Sequence, residues 1–226
     1  MLKTLAIIPA RKGSKRFPGK NTALLAGKPL VAHSIEYALA HMPALDILVS
    51  SDDTDVLEIG MEYGVRVEHR PKELSDDFTL TSEVVKYHAN QFAEKGETAD
   101  IVVLLQPTNP LRPKDLLWDA MAMMLEEKPE SIISVSPLKH KFGRLSESEF
   151  IPENYDFGQR SQDIPERFYE NGLLYLFSFE YALEGRIQGD NPRAIIVDSI
   201  EGSVDIDTEE DLLFAQFLLD RKCSSK

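Results

Sequence analysis

An α/β fold on a mostly parallel sheet is what this sequence predicts, and three observations predict it. Short β-rich runs alternate with segments of helical period along most of the chain. Several runs are apolar throughout instead of alternating, as strands covered on both faces are. Polar residues cluster just after the runs, where open parallel sheets place their ligands.

The elements follow in order. Residues 5–8 make the first strand. Ile35, Leu39 and Met42 recur at helical spacing and place the first helix at about 30–41. Residues 47–49 read as a buried strand ending in Ser50-Ser51-Asp52-Asp53. A helix with Val56, Leu57 and Ile59 comes next, and Gly64 closes it before a strand at 65–67. Thr81 opens a helix carrying Val84, Val85, His88 and Phe92, ended by Gly96. Residues 101–105 are too short for a helix and form a buried strand. Pro113, whose missing N–H is not needed in a first turn, starts a helix at about 114–125. Strands at 131–135, 173–177 and 194–197 follow. Thr208 begins the last helix, with Asp211 in capping-box position and Leu212, Leu213 and Phe217 apolar. Helical patterns make His33, His41 and His88 surface or packing residues, and Trp118 a packing residue.

The stretch at about 139–170 breaks the pattern, being polar, rich in charge and aromatics, and without a clean period. A connection that long inside a compact domain is usually functional. It reads as an insertion in a single domain spanning residues 1–226.

The 25 basic and 38 acidic residues leave a net charge of −13, which excludes duplex nucleic acid or an anionic membrane as a bulk electrostatic partner. One cysteine, Cys223, permits no disulfide within the chain, and no apolar run approaches a membrane span. The opening apolar run is too short for a signal peptide, so a cytoplasmic location is the expectation.

A polyanionic ligand therefore needs a local positive site, and residues 11–21 supply one. Arg11, Lys12, Lys15, Arg16 and Lys20 stand within eleven residues that also hold Gly13 and Gly19, directly after the first strand. Glycines let backbone N–H groups approach phosphate oxygens, and Arg and Lys add charge. The Walker loop does not fit, because five residues separate Gly13 from Gly19 and Asn21 follows Lys20. The dinucleotide fingerprint is absent. Near the other end, Asp205 and Asp207 alternate across Ile206, so an extended backbone points both carboxylates one way. Two such carboxylates with phosphate nearby suit Mg²⁺, while Asp207 is also placed to cap the helix that Thr208 begins. Asp52 and Asp53 serve equally as metal oxygens or as helix caps.

Four runs together carry a resemblance. Ile7-Ile8-Pro9-Ala10-Arg11-Lys12-Gly13-Ser14-Lys15-Arg16-Phe17-Pro18-Gly19-Lys20-Asn21 resembles the opening motif of acylneuraminate (CMP-sialic acid) cytidylyltransferases. Gln106-Pro107-Thr108-Asn109-Pro110-Leu111-Arg112 resembles the second. Arg160-Ser161-Gln162-Asp163-Ile164-Pro165 with Asn171-Gly172 resembles the third, and Val204-Asp205-Ile206-Asp207-Thr208 the fourth. The order is the family's, and the motifs span nearly the whole chain.

The resemblance implies a Rossmann-like nucleotidyltransferase fold and a CMP-nonulosonate synthetase. In that scheme CTP and an acidic nine-carbon sugar give the CMP-sugar and pyrophosphate, by in-line attack of the anomeric hydroxyl on the α-phosphate. Arg11, Ser14 and Lys20 would hold the triphosphate, with Arg11, Lys20 and Asp207 catalytic. Asn21, Arg70, Thr81 and Ser82 would lie along the nucleotide. Gln106, Lys141, Arg160 and Gln162 would bind sugar, and Asp205 with Asp207 would hold Mg²⁺. The inserted arm would reach across a homodimer to complete the partner's sugar pocket, through Lys139 or Lys141 and Arg160. No residue is singled out as general base.

Two positions depart from the family pattern. Ser161 and Tyr169 stand where many members carry arginine. Both belong to the arm, so legionaminate- and pseudaminate-type sugars stand beside N-acetylneuraminate, as does a 3-deoxy octulosonate. A nucleotidyltransferase for a neutral sugar phosphate and a non-catalytic nucleotide-sugar binding module are the competing readings. Preference for CTP over other nucleotides separates the first, and the intact Arg11, Lys20, Asp205 and Asp207 set speaks against the second.

Overall fold

The computed structural model describes residues 2–43 and 46–224. Strands alternate with helices as the sequence predicts: β1 (Thr4–Pro9), the short pair β2 (Leu24–Leu25) and β3 (Lys28–Pro29), α1 (Leu30–Leu39), β4 (Ile47–Ser51), α2 (Thr54–Glu62), β5 (Arg66–His69), α3 (Thr81–Glu94), β6 (Ile101–Leu104) and α4 (Leu116–Glu127). The second half holds β7 (Ser131–Pro137), the hairpin β8 (Gly143–Ser146) and β9 (Glu149–Pro152), β10 (Phe168–Ser178), α5 (Phe179–Glu184), β11 (Arg193–Ile196) and α6 (Glu209–Ser224).

Seven strands form one sheet in the order β11-β7-β10-β6-β1-β4-β5. Its pairs are parallel except for β10, which runs antiparallel to both β6 and β7. Alternate residues of β1 go to opposite layers. Ala6 and Ile8 pack with Val31, Ile35, Val56 and Leu117 from α1, α2 and α4. Leu5 and Ile7 pack with Val85, Ala89 and Ala182 from α3 and α5. Burial on both faces is why these strands carry no polar alternation.

The differences from expectation are local. Helix α4 starts at Leu116, because Pro113 opens a turn (Leu116 N–H to Pro113 O, 3.3 Å) before the helix. The inserted arm ends earlier than the sequence suggests, since Phe168–Glu170 already pair with Val135–Pro137 of β7. On α6 the core takes Leu212, Ala215 and Leu218, whereas Leu213 and Phe217 are exposed. Trp118 is likewise mostly exposed, its ring 5.4 Å from that of His41. The capping box forms as read, with Thr208 N–H on the Asp211 carboxylate at 2.8 Å and Asp211 N–H on the Thr208 hydroxyl at 3.3 Å.

One buried cation pins the centre. Arg112 donates from Nε to Leu173 O (2.7 Å), from Nη2 to Gln106 O (2.7 Å) and from Nη1 to Ser34 Oγ (3.0 Å), under the Tyr37 ring. Burial lowers its guanidinium to about 10, so it stays charged at neutral pH. It thereby joins α1, the segment after β6 and β10. Replacing Arg112 with Met should strand two buried carbonyls and cost about 2–4 kcal/mol. A urea melt reads this directly, and an unchanged midpoint would show that the three bonds add nothing net.

Candidate active site

Beyond the carboxyl ends of β1, β4 and β6 lies a cavity of about 610 Å³. Arg11, Ser14, Lys20, Asn21, Arg70, Thr81, Gln106, Asp205 and Asp207 all border it, drawn from five separate stretches of chain. Lys15, Arg16, Asp77, Phe78 and Thr79 border it too.

The basic loop is built from a few anchors. Phe17 is buried with Leu25, Leu111, Ile206 and Leu218, so the loop cannot lift away as a unit. Gly19 takes a left-handed conformation (φ 72°) that turns the chain into a single 3-10 turn, Lys20–Thr22. Asn21, nearly buried, donates from its amide to Arg11 O at 2.9 Å, closing the loop on itself.

Carboxylates from elsewhere hold the loop's cations. Asp52 accepts the Lys12 N–H at 2.7 Å, and Asp53, which caps α2 through Asp55 N–H at 3.3 Å, faces the Lys12 ammonium at 3.4 Å. Both aspartates are therefore committed to backbone and loop, and neither borders the cavity. Asp77 binds Arg11 at 2.7 Å and Lys15 at 2.5 Å, and those two cations hold its carboxyl below the usual range. Asp207 binds Lys20 at 2.9 Å and also Arg16.

The second, third and fourth runs meet on Asn109. Its buried amide donates to Asn171 O (3.0 Å) and to Val204 O (3.1 Å), and Ile206 N–H donates to Thr108 O at 2.7 Å. A Cβ on Gly172 (φ 73°) would stand 2.7 Å from Asn109 Oδ1 and 3.0 Å from Gln106 Oε1, so the close approach requires glycine. These ties hold residues 204–207 extended, with Val204 and Ile206 buried and the aspartates on the cavity side. Withdrawal from water raises the Asp205 carboxyl, and the charge of Asp207 adds to this against the Thr108 hydroxyl and Lys20. Among the described residues no three His, Cys, Asp or Glu side chains gather as a metal nest. A cation bound at Asp205 and Asp207 would complete its sphere with water and ligand oxygens, as Mg²⁺ does.

The other site residues read from the sequence lie apart from this cavity. Ser82 follows Thr81 in the first turn of α3 without bordering it. Lys141 lies over the Tyr155 ring (4.8 Å) and donates to Gln159 O. Arg160 forks onto Asp163 at 2.7 and 3.0 Å. Gln162 borders a second cavity of about 340 Å³ with Lys139, His140, Arg167 and Asp198. Asp77 and Phe78 escaped sequence reasoning, because nothing in the order of residues ties them to a loop sixty positions away.

A family model described as "Cytidylyltransferase" matches residues 5–184. A CMP-N,N'-diacetyllegionaminic acid synthase of Legionella pneumophila is 33% identical over 226 residues, covering 97% of each chain. A pseudaminic acid cytidylyltransferase of Campylobacter jejuni is 31% identical over 223 residues, covering 96% of each. A solved CMP:2-keto-3-deoxy-manno-octonic acid synthetase complexed with CTP superposes with a TM-score of 0.71 at 16% identity, over 97% of this chain and 99% of that one, and so shares the fold. On the match over residues 5–184, which takes in the basic loop, Asn109 and six of the sheet's seven strands, this chain belongs to the cytidylyltransferase family.

Proposed function

We propose that this protein joins CTP to an acidic nonulosonate of the pseudaminate or legionaminate type, giving the CMP-sugar and pyrophosphate. The observation that carries the reading is a cavity in an acidic protein where Arg11, Lys15, Arg16 and Lys20 face Asp205 and Asp207. Cations on one wall suit a triphosphate, and a carboxylate pair on the other suits a divalent ion. The relatives named for pseudaminic and N,N'-diacetyllegionaminic acid supply the sugar class. Ser161 and Tyr169, which break the sialate pattern, favour the same two over N-acetylneuraminate.

In this mechanism Arg11, Ser14 and Lys20 take the β- and γ-phosphates, and Arg11 with Lys20 offsets the charge that grows on departing pyrophosphate. Asn21, Arg70 and Thr81 lie along the nucleoside, and Gln106 orients the sugar. Mg²⁺ at Asp205 and Asp207, when bound, would neutralise phosphate charge and lower the pKa of the anomeric hydroxyl. Positioning then supplies most of the remaining rate. Asp77 pairs with Arg11 and Lys15, so it competes with the phosphates for those cations.

The arm belongs to the same proposal. Leu145, Phe150 and Phe157 are exposed on or beside the β8–β9 hairpin, an apolar surface suited to a second copy of this chain. Lys141, Arg160 and Gln162 lie on that arm and would complete the partner's sugar pocket in a homodimer. No helix among the described residues is long and apolar enough to cross a membrane. That agrees with work on soluble substrates in the cytoplasm.

Pyrophosphate release with CTP and Mg²⁺, across a panel of α-keto acid sugars, tests the reading. Release with one nonulosonate and its loss in EDTA are expected. Release with ATP, GTP or UTP instead, or with a 3-deoxy octulosonate alone, would replace it. Asp207→Ala should lower kcat about a hundredfold or more, with CTP binding kept because Arg16 and Lys20 are set free. Near-native turnover would remove the metal role. Asp77→Asn should lower the KM for CTP about two- to fivefold, the size of two partly exposed ion pairs relieved. A higher KM would mean that Asp77 holds the loop ready for the nucleotide instead of competing with it.

A further inference from the structure

Behind the cavity wall lies a buried polar chain of which the mechanism above uses only the Arg70 end. Arg70, 3% exposed, borders the cavity and ties back to β4. Its Nε donates to Ser50 Oγ at 3.2 Å and its Nη2 to Ser50 O at 3.0 Å. Its Nη1 makes no hydrogen bond among the described residues, which leaves that nitrogen for a ligand oxygen. Ser50 Oγ lies 2.6 Å from Nε2 of His88, on α3. Ser50 and His88 are at most 1% exposed.

The Ser50 hydroxyl joins the other two residues. Ser50 Oγ accepts from Arg70 and keeps one hydrogen and one lone pair for His88 Nε2, so either ring tautomer can make the contact. Burial lowers His88 to about 4, with the positive charge of Arg70 acting the same way, so the ring is neutral near pH 7. Its Nδ1 is a buried atom with no hydrogen-bond partner among the described residues. A buried nitrogen left unpaired disfavours the fold, and a leucine in this place would avoid it. Among the described residues, the one hydrogen bond the ring makes is the one that orients Ser50.

We infer that His88 is a positioning residue for nucleotide binding: it orients the Ser50 hydroxyl, which holds the Arg70 guanidinium against the cavity. The inference rests on the reading above that Arg70 touches the nucleotide. Free rotation of the hydroxyl would let Arg70 lose its Nε bond and swing, and the loss would fall on CTP rather than on the sugar or the chemical step.

The test compares His88→Leu, His88→Gln, Ser50→Ala and Arg70→Ala by steady-state kinetics with each substrate varied, with thermal melts for folding. His88→Leu should raise the KM for CTP about three- to tenfold, the worth of one oriented hydrogen bond. The KM for the sugar should hold, and kcat should stay within about twofold. The Gln carboxamide can accept from or donate to Ser50 Oγ, so His88→Gln should restore most of the affinity. Adding His88→Leu to Ser50→Ala should raise the KM no further, since both act through one contact. An unchanged KM for CTP in His88→Leu, beside a raised one in Arg70→Ala, would overturn the relay. An unchanged KM in Arg70→Ala would instead overturn the nucleotide contact itself. If His88→Leu does not fold, Ser50→Ala decides: a native KM for CTP there also overturns the relay.

Discussion

Mutual repulsion among five cations in eleven residues is the constraint on which the rest of this structure depends. Left alone, such a loop would spread into solvent and present no shaped site. Here Asp52 and Asp53 from the end of β4, Asp77 from the segment before α3, and Asp207 from before α6 each clamp part of it. The sheet brings Asp52 and Asp53 to the loop, since β1 and β4 are parallel neighbours and end together. The net acidity of the chain and the concentrated basic loop are thus two sides of one arrangement. The loop is a shaped cationic surface because anions from distant parts of the chain fix it.

The strands and most helices were legible in the sequence because burial on both faces leaves an unbroken apolar run, as at 101–105 or 47–49. The cavity residues Arg11, Lys20, Asp205 and Asp207 were legible because their types repeat a family's order and because polar strand ends are where ligands go. What escaped shares one physical origin, contact between segments with no local periodicity. Asp77 reaches Arg11 across sixty-six positions, and Asn109 reaches Val204 across ninety-five. The antiparallel sense of β10 left no trace in its apolar run, since direction is set by partners. Helix α6 misled for another reason, because Leu213 and Phe217 look like core residues but face outward.

The same distance between segments explains how four short runs act as one unit. Asn109 spends its amide on the backbones of the third and fourth runs, Gly172 makes room for that contact, and Arg112 ties the second run into α1 and β10. None of these three residues needs to touch a substrate. Their effect is to make the position of Gln106 and of the Asp205–Asp207 pair a property of the core. A site assembled this way tolerates little independent movement of its parts, which suits chemistry that depends on alignment.

The placement of β10 has a consequence for how the chain acquires its structure during synthesis. The strands β1, β4, β5 and β6 form a contiguous parallel block from the first 104 residues and can pair as soon as they emerge. Strand β7 cannot join them, because its neighbours in the sheet are β10 and β11, and β10 emerges after the whole inserted arm. For about thirty residues of translation, an apolar strand with both edges open therefore waits for its partner. The length of the inserted arm therefore sets how long β7 stays unpaired.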